Sequence, residues 1–370
     1  MDNLCLSMYN KENLQDKLSE LSIELDQSLI QDNIPGCSIA IVLNQEIIWS
    51  HGFGYANIES KIPATAETIY RVGSVTKPFT GLMLMLLRDA GKLQLDDSLE
   101  IYEPLLKQLK TSYTEKKKLT FKMIASHISG LPKGVGYQIK DEENVKNMLE
   151  KSINAVKLVT PPWSHINYSS LGYFILGYLL AKISKQSYID YLTEHILEPL
   201  EMNKSGFRIS DPKMAVGYQT GEDGTNSLII NSDDIRWREP SNGLCSTVID
   251  TSKFLSMQFQ QNPNSLLTPT SLREMHSPVM MLPDWSRGAA LSWFIERFEG
   301  HTILEHSGEK DGFNAYIGFL PDCKLGISIF LNSNKKKAKP LSRSILKALI
   351  STEENERFSK RILRLNQLLR

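Results

Sequence analysis

The chain has 370 residues, of which 41% are hydrophobic and 23% charged, proportions that are typical of a globular enzyme with a large core. Its 42 basic and 42 acidic side chains cancel. This balance creates no global field that would recruit nucleic acid or an anionic membrane, so we expect neither as a partner.

The N-terminal residues carry neither the basic region nor the apolar run of a signal peptide, and no later apolar run is long enough to span a bilayer. We therefore expect a cytoplasmic protein. The four cysteines lack CxxC spacing, so neither a zinc site, nor any other metal site or cofactor, nor a disulfide framework is predicted.

Hydrophobic periodicity places the predicted elements in chain order. Leucines at helical spacing predict a first helix from Leu14 to about Asn33 with its stripe in the core, and two β-rich runs around the turn Asn44-Gln45 predict a hairpin. The central part is mostly helical, and strands return late. The predicted hairpin strands are 37–43 and 46–53, the helices 79–90, 121–126, 145–152, 169–183, 188–196, 250–260 and 341–349, and the late strands 289–298, 302–305, 313–320 and 325–331.

These elements predict an α/β (α+β) fold in which both chain ends build one antiparallel sheet. Residues 1–81 and 285–370 would form this discontinuous domain, residues 82–284 a mostly helical insertion, and the active site would lie at their interface. The basic amphipathic tail, residues 352–370, would pack on the sheet or mediate self-association, and the sequence leaves the oligomeric state open.

The chemistry begins at Ser74 and Lys77. Residues three apart share one face of a helix, so the Ser74 hydroxyl and the Lys77 amine can meet, as a serine nucleophile and its base must. Burial and the helix N-terminus both disfavour an ammonium at this point. The Ser-x-x-Lys spacing occurs five times, but only Ser74 follows a glycine and opens a long apolar helix.

Two further segments carry candidate groups. Tyr168 precedes an apolar helix, and near two ammonium groups we expect the pKa of its phenol to fall well below about 10, which would suit a proton shuttle. His306-Ser307-Gly308-Glu309 lies between two predicted strands. A glycine there lets the backbone approach a ligand closely, and a free strand N–H could supply half of an oxyanion hole.

Ser74-x-x-Lys77, Tyr168-x-Ser170 and His306-x-Gly308 stand in the order of the three motifs of the class C β-lactamase and D-alanyl-D-alanine carboxypeptidase superfamily, which the chain resembles. Supporting similarities run through residues 35–335, among them Ala125-Ser126-His127-Ile128-Ser129-Gly130-Leu131-Pro132 and Asn242-Gly243-Leu244-Cys245-Ser246-Thr247.

The resemblance implies a β-lactamase/transpeptidase-like fold with Ser74 as nucleophile, Lys77 as its partner and Tyr168 moving the proton. The amides of Ser74 and Glu309 would form the oxyanion hole, next to a substrate-binding strand with His306, Ser307 and Gly308. His127 is interpreted as a structural histidine behind the site.

Two departures from the superfamily pattern bear on the substrate. Ser170 replaces an asparagine that helps to hold the acylamide, and His306 replaces the lysine of β-lactamases, a change that weakens the anchor for a carboxylate because histidine is only partly charged near pH 7. We therefore expect a serine hydrolase of esterase or acyltransferase type acting on a small-molecule or peptide-like acyl substrate. The alternatives are a D-amino-acid-type peptidase, a β-lactamase, or a non-catalytic sensor or structural protein of this fold.

Overall fold

The computed structural model describes residues 11–113, 118–135, 144–221, 223–229, 238–259, 265–335 and 337–350. Strands come from three parts of this range, two near the chain ends and one in the middle. They are β1 (Gly36–Leu43), β2 (Glu46–Asn57), β3 (Ile62–Pro63), β4 (Tyr70–Arg71), β5 (Gly206–Phe207), β6 (Tyr218–Thr220), β7 (Asn226–Leu228), β8 (Leu244–Ser246), β9 (Met280–Met281), β10 (Arg287–Ala289), β11 (Phe294–Phe298), β12 (His301–Lys310), β13 (Phe313–Leu320) and β14 (Leu325–Leu331).

The main sheet has nine strands in the order β3-β2-β1-β14-β13-β12-β11-β10-β9, and every neighbouring pair is antiparallel. The N-terminal hairpin therefore lies against the last strand, which confirms the predicted sheet built from both chain ends. Asn44 and Gln45 both have positive φ, 49° and 78°, as a two-residue hairpin turn requires.

Helices cover both faces of this sheet and fill the insertion. They are α1 (Lys11–Gln31), α2 (Thr76–Asp89), α3 (Phe121–Ala125), α4 (Val145–Ala155), α5 (Ser170–Ser184), α6 (Tyr188–Leu192), α7 (Glu239–Asn242), α8 (Val248–Met257), α9 (Pro269–His276) and α10 (Ala338–Ile350). None of the helices in the described ranges is long and apolar enough to cross a membrane.

Two hydrophobic cores lie on opposite faces of the sheet. Side chains alternate between the two faces along β1: Ile39 joins the core under α1 and α10, whereas Ala40 joins the larger core shared with the helical insertion. The predicted leucine stripe of the first helix is buried in the smaller core from Leu18 onward. The active-site residues described below lie beside the larger core.

One predicted strand is wrong. Residues 289–298 form two antiparallel strands, β10 and β11, instead of one, because the chain reverses at Ser292, whose φ is +66°. The Ala290 N–H bonds the Trp293 carbonyl and closes this turn. The predicted strand 302–305 extends over the whole of β12, and this brings His306 to Glu309 into the sheet.

Other predictions lie partly or wholly outside the described residues. The tail 352–370 is among them, as is Gln260 at the end of the predicted helix 250–260. The proposed division at residues 81 and 285 stays a prediction; the sheet itself draws its strands from residues 36–63 and 280–331.

Candidate active site

Ser74 lies in a 3-10 turn, Gly73–Val75, that runs directly into α2. The turn is fixed by Thr76, whose hydroxyl donates to the Gly73 carbonyl at 2.7 Å and accepts the Leu244 N–H at 3.1 Å. Ser74 is partly exposed, whereas both of its chain neighbours are buried. The local sequence thus places one accessible hydroxyl on a turn whose backbone is fixed by hydrogen bonds.

Lys77 is completely buried one turn further along α2. Its Nζ lies 3.0 Å from Ser74 Oγ and donates a hydrogen bond to the Ser241 carbonyl at 2.8 Å. Burial holds the pKa of the Lys77 amine well below its usual range, and the charge of Lys133 lowers this pKa further. The amine therefore lies within reach of the Ser74 hydroxyl, and its lowered pKa favours the neutral form that a base needs.

Tyr168 completes the arrangement from the loop before α5. Its hydroxyl donates a hydrogen bond to Ser74 Oγ at 2.7 Å, and its ring lies 4.8 Å below Lys77 Nζ. Burial raises the pKa of Tyr168 to about 12, and hydrogen bonding to the hydroxyls of Ser74 and Ser170 opposes this shift only in part. The predicted low pKa of this phenol is therefore wrong: Tyr168 is protonated at neutral pH.

Two glycines let β12 approach Ser74. A Cβ on Gly308 would lie 1.9 Å from the Val72 carbonyl oxygen and 3.0 Å from the Ser74 nitrogen, and one on Gly73, whose φ is +53°, would lie 3.0 Å from the Glu309 nitrogen. Only glycines fit this contact. The backbone amides of Ser74 and Glu309 consequently lie at the same junction, where the oxyanion hole is predicted.

His306 is 2% exposed, and its tautomer is fixed by its neighbour. Nδ1 must carry the proton because it donates to the Ser307 carbonyl at 2.8 Å, and Nε2 has no hydrogen-bond partner among the described residues. Burial lowers the pKa of His306 to about 3, and repulsion from Lys77 in its protonated form is the second cause. The expectation of a partly charged imidazole near pH 7 is thus wrong, since the ring is neutral.

A cavity of about 390 Å³ opens beside Tyr168, His306 and Ser307. Its remaining lining is partly apolar and partly charged, with Ile166, Leu282, Phe294, Arg287, Glu305 and Lys339. The charged members are already paired: Arg287 contacts Glu296 at 3.2 Å, and Lys339 contacts Glu305 at 2.5 Å. Ser170, the first residue of α5, donates its N–H to the Lys133 carbonyl and does not line the cavity.

Three contributors to the environment of Lys77 were not predicted from the sequence. They are the Ser241 carbonyl, the charge of Lys133, and the ring of Tyr173, which lies 5.3 Å from Lys77 Nζ. Ser241 directly precedes Asn242–Thr247, and Lys133 directly follows residues 125–132, two segments that carried the superfamily resemblance. This proximity was the one signal in the sequence that could have indicated their place near Lys77. Tyr173 gave none, because its position follows from helix packing.

One group of possible metal ligands lies around His301, the first residue of β12. His301 Nδ1 contacts Asp322 Oδ2 at 2.7 Å, next to Cys323. Cys323 is disulfide-bonded, so its sulfur is not the thiolate that a metal would bind. The spacing of the cysteines predicted no disulfide framework, and it gave no signal for this one bond.

Comparisons with known proteins identify the family and the fold. A family model described as Beta-lactamase matches residues 15–350. Protein flp of Staphylococcus aureus strain MW2 is 28% identical over 330 residues, covering 87% of this chain. The match covers 64% of flp, so the chain spans a little under two thirds of that relative's length.

Solved structures share the fold along almost the whole chain. The octameric penicillin-binding protein homologue from Pyrococcus abyssi has a TM-score of 0.79 at 27% identity and covers 90% of this chain and 77% of its own. A class C beta-lactamase (TM-score 0.77, 22% identity, 95% and 99% coverage) shows the same fold. So does EstCE1, a hydrolase with promiscuous acyltransferase activity (TM-score 0.81, 16% identity, 91% and 99% coverage).

These matches confirm the resemblance inferred from the three motifs and the predicted fold class. The family match extends over both halves of the sheet and the helical insertion between them. The chain belongs to the beta-lactamase family.

Proposed function

We propose that the protein is a serine hydrolase that acts through an acyl-enzyme, with Ser74 as nucleophile and esters as the preferred substrates. One observation carries this proposal. Ser74 Oγ lies between a buried amine at 3.0 Å and a phenol at 2.7 Å, both within the distance of direct proton transfer. The substrate would be a small-molecule or peptide-like acyl compound.

The protonation states give each group a role. Tyr168 is protonated and donates to Ser74 Oγ, so Lys77 Nζ, 3.0 Å away and with a lowered pKa, would accept the Ser74 proton. As Oγ attacks the carbonyl carbon, this proton passes to Lys77 Nζ. When the bond to the leaving group breaks, the proton returns through the Tyr168 hydroxyl to the departing oxygen. Water, or another alcohol or amine, then cleaves the acyl-enzyme.

The tetrahedral intermediate needs hydrogen-bond donors on its oxyanion. The amides of Ser74 and Glu309 supply them where Gly73 and Gly308 bring the 3-10 turn against β12. A donor of this kind typically contributes about 2.7–4 kcal/mol to transition-state stabilisation. Because both donors belong to the backbone, the hole is fixed before substrate binds.

The cavity favours neutral over carboxylate-bearing substrates. His306, at the position where β-lactamases carry a lysine, is uncharged, and the cationic side chains in the lining are occupied by Glu296 and Glu305. A carboxylate entering the cavity would find no unpaired cation among the described lining residues. EstCE1 has the same fold, which supports esterase and acyltransferase chemistry on this scaffold.

Intact-protein mass spectrometry tests the proposal. Wild type is exposed to an activated short-chain acyl ester and, separately, to a β-lactam, alongside Ser74→Ala and Ser344→Ala. Ser344 is the matched control because it shares the Ser-x-x-Lys spacing but lies in α10, where its hydroxyl bonds the Pro340 carbonyl. We expect turnover of the ester in wild type and Ser344→Ala, and none in Ser74→Ala.

Other outcomes would select the alternatives. A persistent adduct with the β-lactam that requires Ser74, combined with slow ester turnover, would indicate a penicillin-recognising peptidase. Rapid Ser74-dependent loss of the β-lactam would indicate a β-lactamase. Ester turnover that survives in Ser74→Ala would reject the proposed nucleophile, and failure of wild type to react with either compound would favour a non-catalytic protein.

A further inference from the structure

The loop that carries Tyr168 is joined residue by residue to the segment 127–133. Asn167 donates its N–H to the His127 carbonyl at 2.6 Å, and Ser169 donates its N–H to His127 Nδ1 at 3.1 Å. Ser170 donates to the Lys133 carbonyl at 2.9 Å. Both chain neighbours of Tyr168 are therefore held by one residue, His127.

His127 contributes the one side-chain acceptor to this set of contacts. The other acceptors that the described part of segment 127–133 offers to residues 167–171 are backbone carbonyls, of His127, Leu131, Pro132 and Lys133. A backbone carbonyl survives substitution, whereas the contact with Nδ1 depends on the identity of residue 127. Mutation can thus remove this bond and leave the others in place.

The His127 ring also packs directly against Tyr168. The two ring centroids are 4.4 Å apart, and the opposite neighbours are Tyr173 at 5.1 Å and Phe294, stacked at 5.9 Å. His127 is 3% exposed, so no open space lies behind it. A ring fixed in this way limits how far the phenol can move from Ser74.

The backbone of His127 adopts a left-handed conformation with φ at +57°. Non-glycine residues seldom adopt it, and asparagine, aspartate and histidine do so more readily than others. The His127 N–H bonds the Ile124 carbonyl at 3.1 Å just after α3. This conformation turns the ring from the end of α3 toward Tyr168.

The protonation state of the ring suits an acceptor. An amide can only donate, so Nδ1 accepts from Ser169 and the proton of the neutral ring lies on Nε2. Burial keeps the pKa of His127 well below its usual value, and Lys77 and His306 lower this pKa further in their protonated forms. Burial therefore favours the neutral ring, the form in which Nδ1 can accept a hydrogen bond.

From these contacts we infer that His127 is a positioning residue for the reaction: its Nδ1 and carbonyl fix residues 169 and 167, and so hold the Tyr168 hydroxyl on Ser74 Oγ. The inference rests on the proposed function. It assigns His127 no contact with substrate, and it differs from a purely structural role because its effect must pass through the Tyr168 hydroxyl. A displacement of about 1 Å at a reacting group can lower turnover about 100-fold.

The test compares substitutions that differ in the acceptor. His127→Asn keeps an acceptor at the δ position and tolerates positive φ, His127→Phe keeps the ring but has no acceptor, and His127→Gly tolerates the backbone but has neither. We expect kcat for an activated ester to fall about 100-fold in the Phe and Gly variants with KM within about threefold, and to stay within about tenfold of wild type in the Asn variant. If the Phe variant does not fold, the difference in kcat between the Asn and Gly variants tests the inference.

A double-mutant cycle separates positioning from packing. In a Tyr168→Phe background, His127→Phe should lower kcat by less than about threefold, because the hydroxyl that His127 positions is already absent. His276→Phe is the control for loss of a buried histidine, since His276 bonds Gln258 and packs on Phe319. Equal losses in the Asn and Phe variants, or a full additional loss in the Tyr168→Phe background, would overturn the inference.

Amide hydrogen exchange measures the bond between the Ser169 N–H and His127 Nδ1 independently of catalytic activity. The Ser169 amide should exchange faster in the Phe and Gly variants than in wild type and the Asn variant, by peptide-level mass spectrometry over residues 167–171. Unchanged exchange in the Phe and Gly variants would overturn the inference. A wild type that does not react with esters would instead reject the proposed function, and the exchange measurement would still decide whether His127 holds this loop.

Discussion

Lys77 donates a hydrogen bond from its buried Nζ to the carbonyl oxygen of Ser241 at 2.8 Å. The preceding carbonyl, of Pro240, accepts the Thr80 hydroxyl at 2.7 Å, so the short helix α7 is bonded twice to α2. The same Nζ lies 3.0 Å from Ser74 Oγ, so the bond to Ser241 fixes the end of the Lys77 side chain beside Ser74. The position of the proposed base is thus set by a backbone carbonyl.

Removal of the Lys133 charge should move the acidic limb of the pH profile of kcat/KM. Lys133 lowers the pKa of Lys77, so Lys133→Gln raises that pKa and a larger fraction of the amine is protonated at any given pH. Since the base must be neutral to accept the Ser74 proton, we expect the limb to shift to higher pH. Lys133→Arg keeps the charge and should leave the limb in place. A shift to lower pH in the Gln variant would contradict this assignment.

Gly308→Ala should separate the two donors of the proposed oxyanion hole. The added Cβ would lie 1.9 Å from the Val72 carbonyl, so β12 must move away from the 3-10 turn. Loss of one donor predicts a fall in kcat of about 10²–10³-fold. Gly206→Ala is the matched control, because Gly206 also lies in a strand but its nearest contact would be an ordinary 3.6 Å from Ile209. Comparable activity in the two variants would argue against the hole.

His306→Lys should increase the preference for substrates that carry a carboxylate. The neutral imidazole offers such a group no charge, whereas a lysine would supply a charge-assisted contact. We expect the ratio of kcat/KM for a hemisuccinate aryl ester to that for the matching butyrate ester to rise about tenfold, which corresponds to about 1.4 kcal/mol. His306→Gln remains neutral and should leave the ratio unchanged. An unchanged ratio in a folded Lys variant would show that this strand does not contact the acyl group.

Glu305 and its two cationic partners, Lys339 and Arg343, should contribute to stability as a buried ion pair does. The Glu305 side chain is 3% exposed and contacts Arg343 and Lys339 at 2.5 Å, and Tyr316 donates to it at 2.7 Å. Arg343→Met removes one cation from a buried carboxylate, so we expect a loss of about 3 kcal/mol in the free energy of unfolding, measured in urea. Lys204→Met breaks an equally short but exposed pair with Glu67 and should cost less than about 1 kcal/mol. Similar losses would contradict the argument from burial.

Local sequence predicted those parts of the fold in which one face of an element is apolar. The leucines of α1 and the alternation in β1 are examples, because the spacing of buried residues is itself the signal. The turn at Ser292 was missed since it contains neither glycine nor proline. It is held by distant partners: Ser292 bonds Tyr173 at 2.7 Å and packs where Gly81 leaves space.

The sequence likewise predicted that Ser74 and Lys77 meet, but it gave the wrong direction for the pKa shift of Tyr168. Proximity to lysines suggested a lowered pKa, but burial is a property of the folded molecule and it dominates here. For the same reason His306 is neutral, although its residue type suggested partial charge. His127 was correctly placed behind the site, but its contact with Ser169 depends on a backbone conformation that no local pattern predicted.

Under the proposed mechanism, the contact between the 3-10 turn and β12 also determines when the chain can become active. During synthesis on the ribosome, Ser74, Lys77 and Tyr168 emerge long before β12, so a nascent chain carries a nucleophile and a base but lacks the second amide donor. Under the proposed mechanism, hydrolysis begins only once the C-terminal strands have docked. A first turnover is therefore also a signal that synthesis and folding of the chain have passed β12.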